Sequence, residues 1–166
     1  MLERGRIEMY QKGDKIVCPL HGAGEIESLE EREVDGDLQT YYILTIPVGN
    51  LKLMISASKS KTQNIRAIHG KDEIVKILQS SLGMEVDMPD NWNQRYKDNL
   101  ERIKTGNLAI VGMVYNNLLH REREKGLSTS EKKMMTTTKQ IILSELMLSL
   151  DTEKKEAERI LESTFN

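Results

Sequence analysis

Proline does not occur after residue 89. The other two, Pro19 and Pro47, fall within the first 70 residues together with seven of the eleven glycines, and 77 residues follow Pro89 without another break. Proline removes a backbone donor and blocks the preceding turn, so only the later part of the chain is free to build long helices. The sequence therefore divides into a turn-rich half and a helical half. Hydrophobic residues make up 38% and charged residues 30% of the 166, enough apolar surface for packed cores in both halves.

The first half reads as short strands. Lys15-Ile16-Val17-Cys18 ends at Pro19, and Leu20-His21-Gly22-Ala23-Gly24 reads as a turn-rich corner. A charged strand over Glu25–Val34 reaches Asp35-Gly36-Asp37, a strong hairpin signal because Asp-Gly tolerates positive φ. Tyr41–Ile46 is the richest strand, followed by Leu51–Ile55 and a short one within Ile65–Ile68. Five strands at this spacing predict a small antiparallel barrel or strongly bent sheet.

The second half carries helical periodicity. The segments are Asp72–Leu82, a helix capped by Asp90, a third over Ile110–Leu119, a long one opened by Ser128, and a last one after Asp151 or Thr152. In the second of these, Trp92, Tyr96, Leu100 and Ile103 are spaced as one stripe. Ser128-Thr129-Ser130-Glu131 matches a capping box.

The chain's net charge of −2 argues against a free-standing nucleic-acid binder. Its distribution argues otherwise. Residues 71–91 hold two basic and five acidic side chains (−3), residues 92–139 ten and five (+5), and residues 140–166 three and six (−3). A solvated helix face explains such an excess as readily as a phosphate-binding face does. The only tryptophan, Trp92, sits at the edge of the positive block among Asp, Asn and Gln, beside Arg95 and Lys97. Its periodicity with Tyr96 and Leu100 also permits burial.

Enzymatic signatures are weak. His21, His69 and His120 are far apart and lack metal-ligand spacing, and no phosphate-cradling glycine loop is present. The single cysteine, Cys18, excludes an intramolecular disulfide and reads as a small buried hydrophobe. Ser130-Glu131-Lys132-Lys133 formally contains Ser-x-x-Lys, a two-residue match that chance supplies often. No catalytic residue, cofactor or metal is expected. Met1–Arg6 leads into no apolar run, so no secretory signal is expected, and no stretch is apolar enough to span a membrane.

Four stretches, taken in order, resemble the CarD/CdnL family of bacterial transcription regulators. They are Gly13-Asp14-Lys15-Ile16-Val17-Cys18-Pro19-Leu20-His21-Gly22; Tyr41-Tyr42-Ile43-Leu44; Asn91-Trp92-x-x-Arg95-Tyr96-Lys97-x-Asn99-Leu100-Glu101; and Gly126-Leu127-Ser128-x-x-Glu131-Lys132. The resemblance covers roughly residues 10–162. The opening motif also occurs in transcription-repair coupling factors, which are large helicases; the helical half points to CarD/CdnL.

The resemblance implies an α+β chain. A small Tudor-like antiparallel β-barrel over residues 1–69 would dock on the β subunit of RNA polymerase. A compact all-helical domain of about five helices over residues 70–166 would touch promoter DNA at the upstream edge of the melted region and stabilise the open complex. Carried over by position, Trp92 is a minor-groove wedge acting without base-specific readout, with Arg95, Lys97 and Lys132 as phosphate contacts. Arg32 matches a basic position used against polymerase. Met54 stands where many relatives have arginine, and Ser56 where they have proline; Lys52, on the same strand face, is the expected substitute cation. The implied setting is the bacterial cytoplasm, on the nucleoid through polymerase, as a monomer or else a domain-swapped dimer. The rival reading is a polymerase-interaction module with Trp92 buried and no DNA contact.

Overall fold

The computed structural model describes residues 10–84 and 86–166; Met1–Arg6 lie outside the described residues. Among the described residues five strands come first: β1 (Lys15–Cys18), β2 (Gly22–Val34), β3 (Asp37–Ile46), β4 (Leu51–Ser56) and β5 (Arg66–Ala67). They form one antiparallel sheet in the order β4-β3-β2-β1-β5, which is the expected N-terminal β architecture. Five α-helices follow: α1 (Ile74–Ser80), α2 (Trp92–Lys104), α3 (Leu108–Glu124), α4 (Thr129–Leu150) and α5 (Lys154–Phe165).

Local chemistry explains most boundaries. Asp35 and Gly36 have φ of 51° and 86°, and Val34 pairs with Asp37, so the two residues alone make the hairpin loop. The corner after β1 is shorter than expected. Leu20 takes the positive φ (74°), and β2 already starts at Gly22. A register shift between Ile26 and Ser28 bends β2 against β3. At the other end of the chain, Ser128 caps α4 through the full capping box with Glu131. Asn91, not Asp90, caps α2, because its side chain reaches the N–H groups of Asn93 and Gln94. Asp151 closes α4 in the left-handed conformation, and α5 starts from Glu153 without a side-chain cap.

Two apolar clusters result. One fills the inner face of the sheet around Ile16, Ile26, Tyr42, Leu44 and Ile55. The other lies among the helices around Ile74, Leu108, Val114, Ile142 and Leu161, and Val48 from the loop between β3 and β4 joins it. The two halves meet where α4 packs on the start of β2: Gly22 lies so close that a Cβ there would stand 2.7 Å from the Ser144 hydroxyl oxygen. Among the described residues, no helix is long and apolar enough to cross a membrane.

Candidate functional site

Trp92 occupies the first helical position of α2 and is 49% exposed. A tryptophan usually buries most of its area in a core, and this one does not. The buried stripe of α2 is instead Arg95, Asn99 and Ile103, with Tyr96 and Leu100 half-buried beside it. Of the stripe Trp92, Tyr96, Leu100 and Ile103, the last three turn to the core and Trp92 alone stays out, beside a buried polar pair that anchors the start of the helix.

That pair is Arg95 with Glu131. Arg95 is 3% exposed and Glu131 fully buried. The guanidinium donates from Nε to Glu131 Oε2 (3.0 Å) and from Nη2 to Oε1 (2.8 Å), and its Nη1 donates to the carbonyls of Pro89 and Asp90. Ser128 also donates its hydroxyl to Glu131 Oε1 (3.0 Å), while the Glu131 N–H donates back to that hydroxyl (3.2 Å). One carboxylate therefore caps α4 and, through Arg95, holds the loop that leads into Trp92. Burial by itself would push the Glu131 carboxyl up, but the hydrogen bonds from Arg95 and Ser128 and the Arg95 charge outweigh it and hold it below its ordinary value.

This geometry corrects one expected phosphate contact. The Arg95 donors are taken up inside the protein, where they hold the loop that leads into Trp92 and are not free for a phosphate. Sequence reasoning saw Glu131 only as a helix cap. Lys97 and Lys132 are exposed, and among the described residues neither has an ion-pair partner. A cleft of about 320 Å³ between α2 and α4 is lined by Tyr96, Leu100, Lys133 and Thr137. Lys133 and Thr137 also border the adjoining groove on α4, together with Thr129 and Lys132. Ammonium and hydroxyl groups along such a trough suit phosphate oxygens. Because Arg95 and Glu131 cancel each other, the other side chains of residues 92–139 carry that block's positive excess.

The three candidate polymerase contacts share one face of the sheet. Arg32 lies opposite Gln39, Lys52 opposite Thr45 and Met54 opposite Ile43, all odd-numbered positions of β3 and hence on the side away from Tyr42 and Leu44. Arg32, Lys52 and Met54 are all exposed, Met54 at 45%. Arg32 sits about 13 Å along the strands from Met54, four residues of rise. Arg32 pairs with Glu30 and Lys52 with Glu27, each at 3.2 Å. Such solvated pairs are weak, so either cation can exchange its partner at little cost. A hydrogen bond from Thr45, then one from Lys52 with its charge, lowers the Glu27 carboxyl.

Cys18 is not placed to act as a nucleophile. Cys18 is buried, and burial pushes its thiol up to about 11, opposite to what a reactive cysteine needs. Ellman's reagent at pH 8 is therefore expected to leave Cys18 unmodified in the folded protein and to titrate one thiol after denaturation. Rapid labelling of the native chain would contradict this. Among the described residues, no group of three His, Cys, Asp or Glu side chains could hold a metal ion.

Comparison with known proteins agrees with this layout. Residues 10–69 match the family description "CarD-like/TRCF RID domain", and residues 73–162 match "CarD, C-terminal domain". A curated relative from Bacillus subtilis (strain 168), named "Putative transcription factor YdeB", is 38% identical over 138 residues, covering 83% of this chain and 90% of the relative.

Proposed function

The chain belongs to the CarD family of transcription factors, and from that premise we propose that it is a non-enzymatic bridge between RNA polymerase and promoter DNA. In this reading residues 1–69 form the polymerase-facing domain and residues 70–166 the DNA-facing one. Arg32, Lys52 and Met54 contact the polymerase β subunit through the outer sheet face. Trp92 enters the minor groove at the upstream edge of the bubble, while Lys97 and Lys132 neutralise flanking phosphates. The protein works as a monomer.

The observation that carries this reading is the exposure of Trp92. An aromatic ring of which half stands in solvent, at the end of a helix whose entry loop is pinned by a buried ion pair, is preorganised to leave water on contact. Minor-groove proteins use such wedges beside cations to hold unstacked steps without reading base edges. Contacts made only with melted DNA shift the closed–open equilibrium toward the open complex. Tethering to polymerase supplies local concentration, so a chain of net charge −2 needs no strong affinity for free DNA.

The polymerase half is tested by capture of the full chain on the isolated β lobe. The wild type is expected to be retained and Arg32→Glu to be reduced about tenfold or more, since the reversal adds repulsion to the lost contact. Wild-type protein that fails to be retained would remove this half of the proposal.

A further inference from the structure

We propose that Arg66 and Glu145 are positioning residues that fix the angle between the outer sheet face and the Trp92 face, making the chain a rigid bracket rather than two linked domains. The inference rests on the reading above, in which those faces engage different macromolecules.

Glu145 lies in the middle of α4, fully buried, within the run Ile141-Ile142-Leu143-Ser144-Glu145-Leu146. Its carboxylate accepts three hydrogen bonds from the other half of the chain. Arg66 Nη2 donates to Oε1 (2.8 Å), Arg66 Nη1 to Oε2 (2.9 Å), and the His69 N–H to Oε2 (2.9 Å). The same guanidinium donates from Nε to the Gly106 carbonyl (2.6 Å), in the turn between α2 and α3. Arg66, on the end strand β5, thus grips both α4 and the segment that ends α2.

Further bonds cross the seam on either side. The Ala23 N–H donates to the Ser144 hydroxyl (2.8 Å), Ser149 donates to the His69 carbonyl (2.8 Å), and Asn64 donates to the Lys104 carbonyl (2.9 Å). The two apolar clusters, by contrast, are largely separate, with Val48 and Leu20 the residues of the sheet half that reach the helical one. Apolar contact is non-directional and allows sliding, whereas a bidentate guanidinium–carboxylate pair admits one geometry. Glu145 is buried while the Arg66 side chain is 25% exposed, and an ion pair with a buried partner is a poor source of net stability compared with apolar residues of similar volume. Directionality is what this one adds. In a bridge, a fixed angle keeps the second contact at high effective concentration once the first has formed, and a loose joint dilutes it.

The test uses the full chain carrying Arg66→Met and Glu145→Leu together, which removes both charges and leaves neither orphaned. Arg66→Lys serves as a milder variant that keeps the cation but cannot make the bidentate bond. Spin labels at exposed Ser58 and Ser163, each changed to cysteine in a Cys18→Ala background, report the distance between the halves. Both variants are expected to fold, to retain capture by the polymerase β lobe, to broaden the distance distribution, and to shorten open-complex lifetime about threefold or more. A distance distribution as narrow as the wild type's in both variants would overturn the assignment. So would a broadened distribution with wild-type lifetime. Wild-type protein that does not prolong the open complex would defeat the bridging function, and the distance measurement would still decide whether this pair sets the angle.

Discussion

Glu131→Ala is expected to lower the free energy of unfolding by about 3–5 kcal/mol, the typical penalty for removing one member of a buried ion pair. The loss has two sources. Arg95 would keep its charge at 3% exposure with only the Pro89 and Asp90 carbonyls as acceptors, and α4 would lose half of its capping box. Urea unfolding followed by circular dichroism measures the difference at neutral pH. A change below about 1 kcal/mol, the range of a solvent-exposed pair, would show that the pair is not buried as described.

The same carboxylate makes the stability pH-dependent in a defined direction. Its folded-state value is lowered, so the unfolded chain binds the proton more readily. The stabilisation is complete above the ordinary carboxylate range and is lost as pH falls through the folded value. The wild type should therefore lose more stability on acidification than Glu131→Gln, which begins less stable but has no proton to take up there.

Trp92→Ala is expected to shorten the open-complex lifetime at least about fivefold while leaving folding nearly unchanged. Stacking of an aromatic side chain on a base is worth about 1–3 kcal/mol by alanine substitution, and 1 kcal/mol corresponds to about fivefold. Because half of Trp92 is in solvent, its removal creates no core cavity, and the stability change should stay within about 0.5–1 kcal/mol. Phenylalanine at this position should recover part of the lifetime. Lys97→Ala and Lys132→Ala should each reduce the salt dependence of DNA engagement by about one phosphate contact, with little effect on folding. Arg95→Ala should instead act mainly through folding, which separates a positioning residue from a phosphate contact. A Trp92→Ala protein with normal lifetime would contradict the wedge role.

Many local signals were readable in the sequence, though the caps of α2 and α5 fell one or two residues from where Asp90 and Asp151 suggested, and long-range ones were not. β1 before Pro19, the Asp35-Gly36 loop and the capping box of Ser128 and Glu131 each depend on residues within a few positions, and each is present as expected. The outward face shared by Arg32, Lys52 and Met54 needed the strand register, which turns and alternation only partly fix. The face of α2 was left open, because the spacing of Trp92 with Tyr96 and Leu100 permits burial as well as exposure of the tryptophan. The deciding partner of Arg95 lies 36 residues away, outside any helical period. Arg66 and Glu145, 79 residues apart, were missed for the same reason. One signal was available: a lone glutamate inside an apolar run such as Ile141–Leu146 implies a buried charge, and a buried charge implies a partner.

A chain that holds polymerase and melted promoter DNA together should change how long the open complex survives. The half-life of promoter open complexes is measured after a heparin challenge, with saturating wild-type protein and without it, under conditions where polymerase capture of the chain is verified. The half-life is expected to be prolonged several-fold. An unchanged half-life with the protein bound to polymerase would contradict the bridging function.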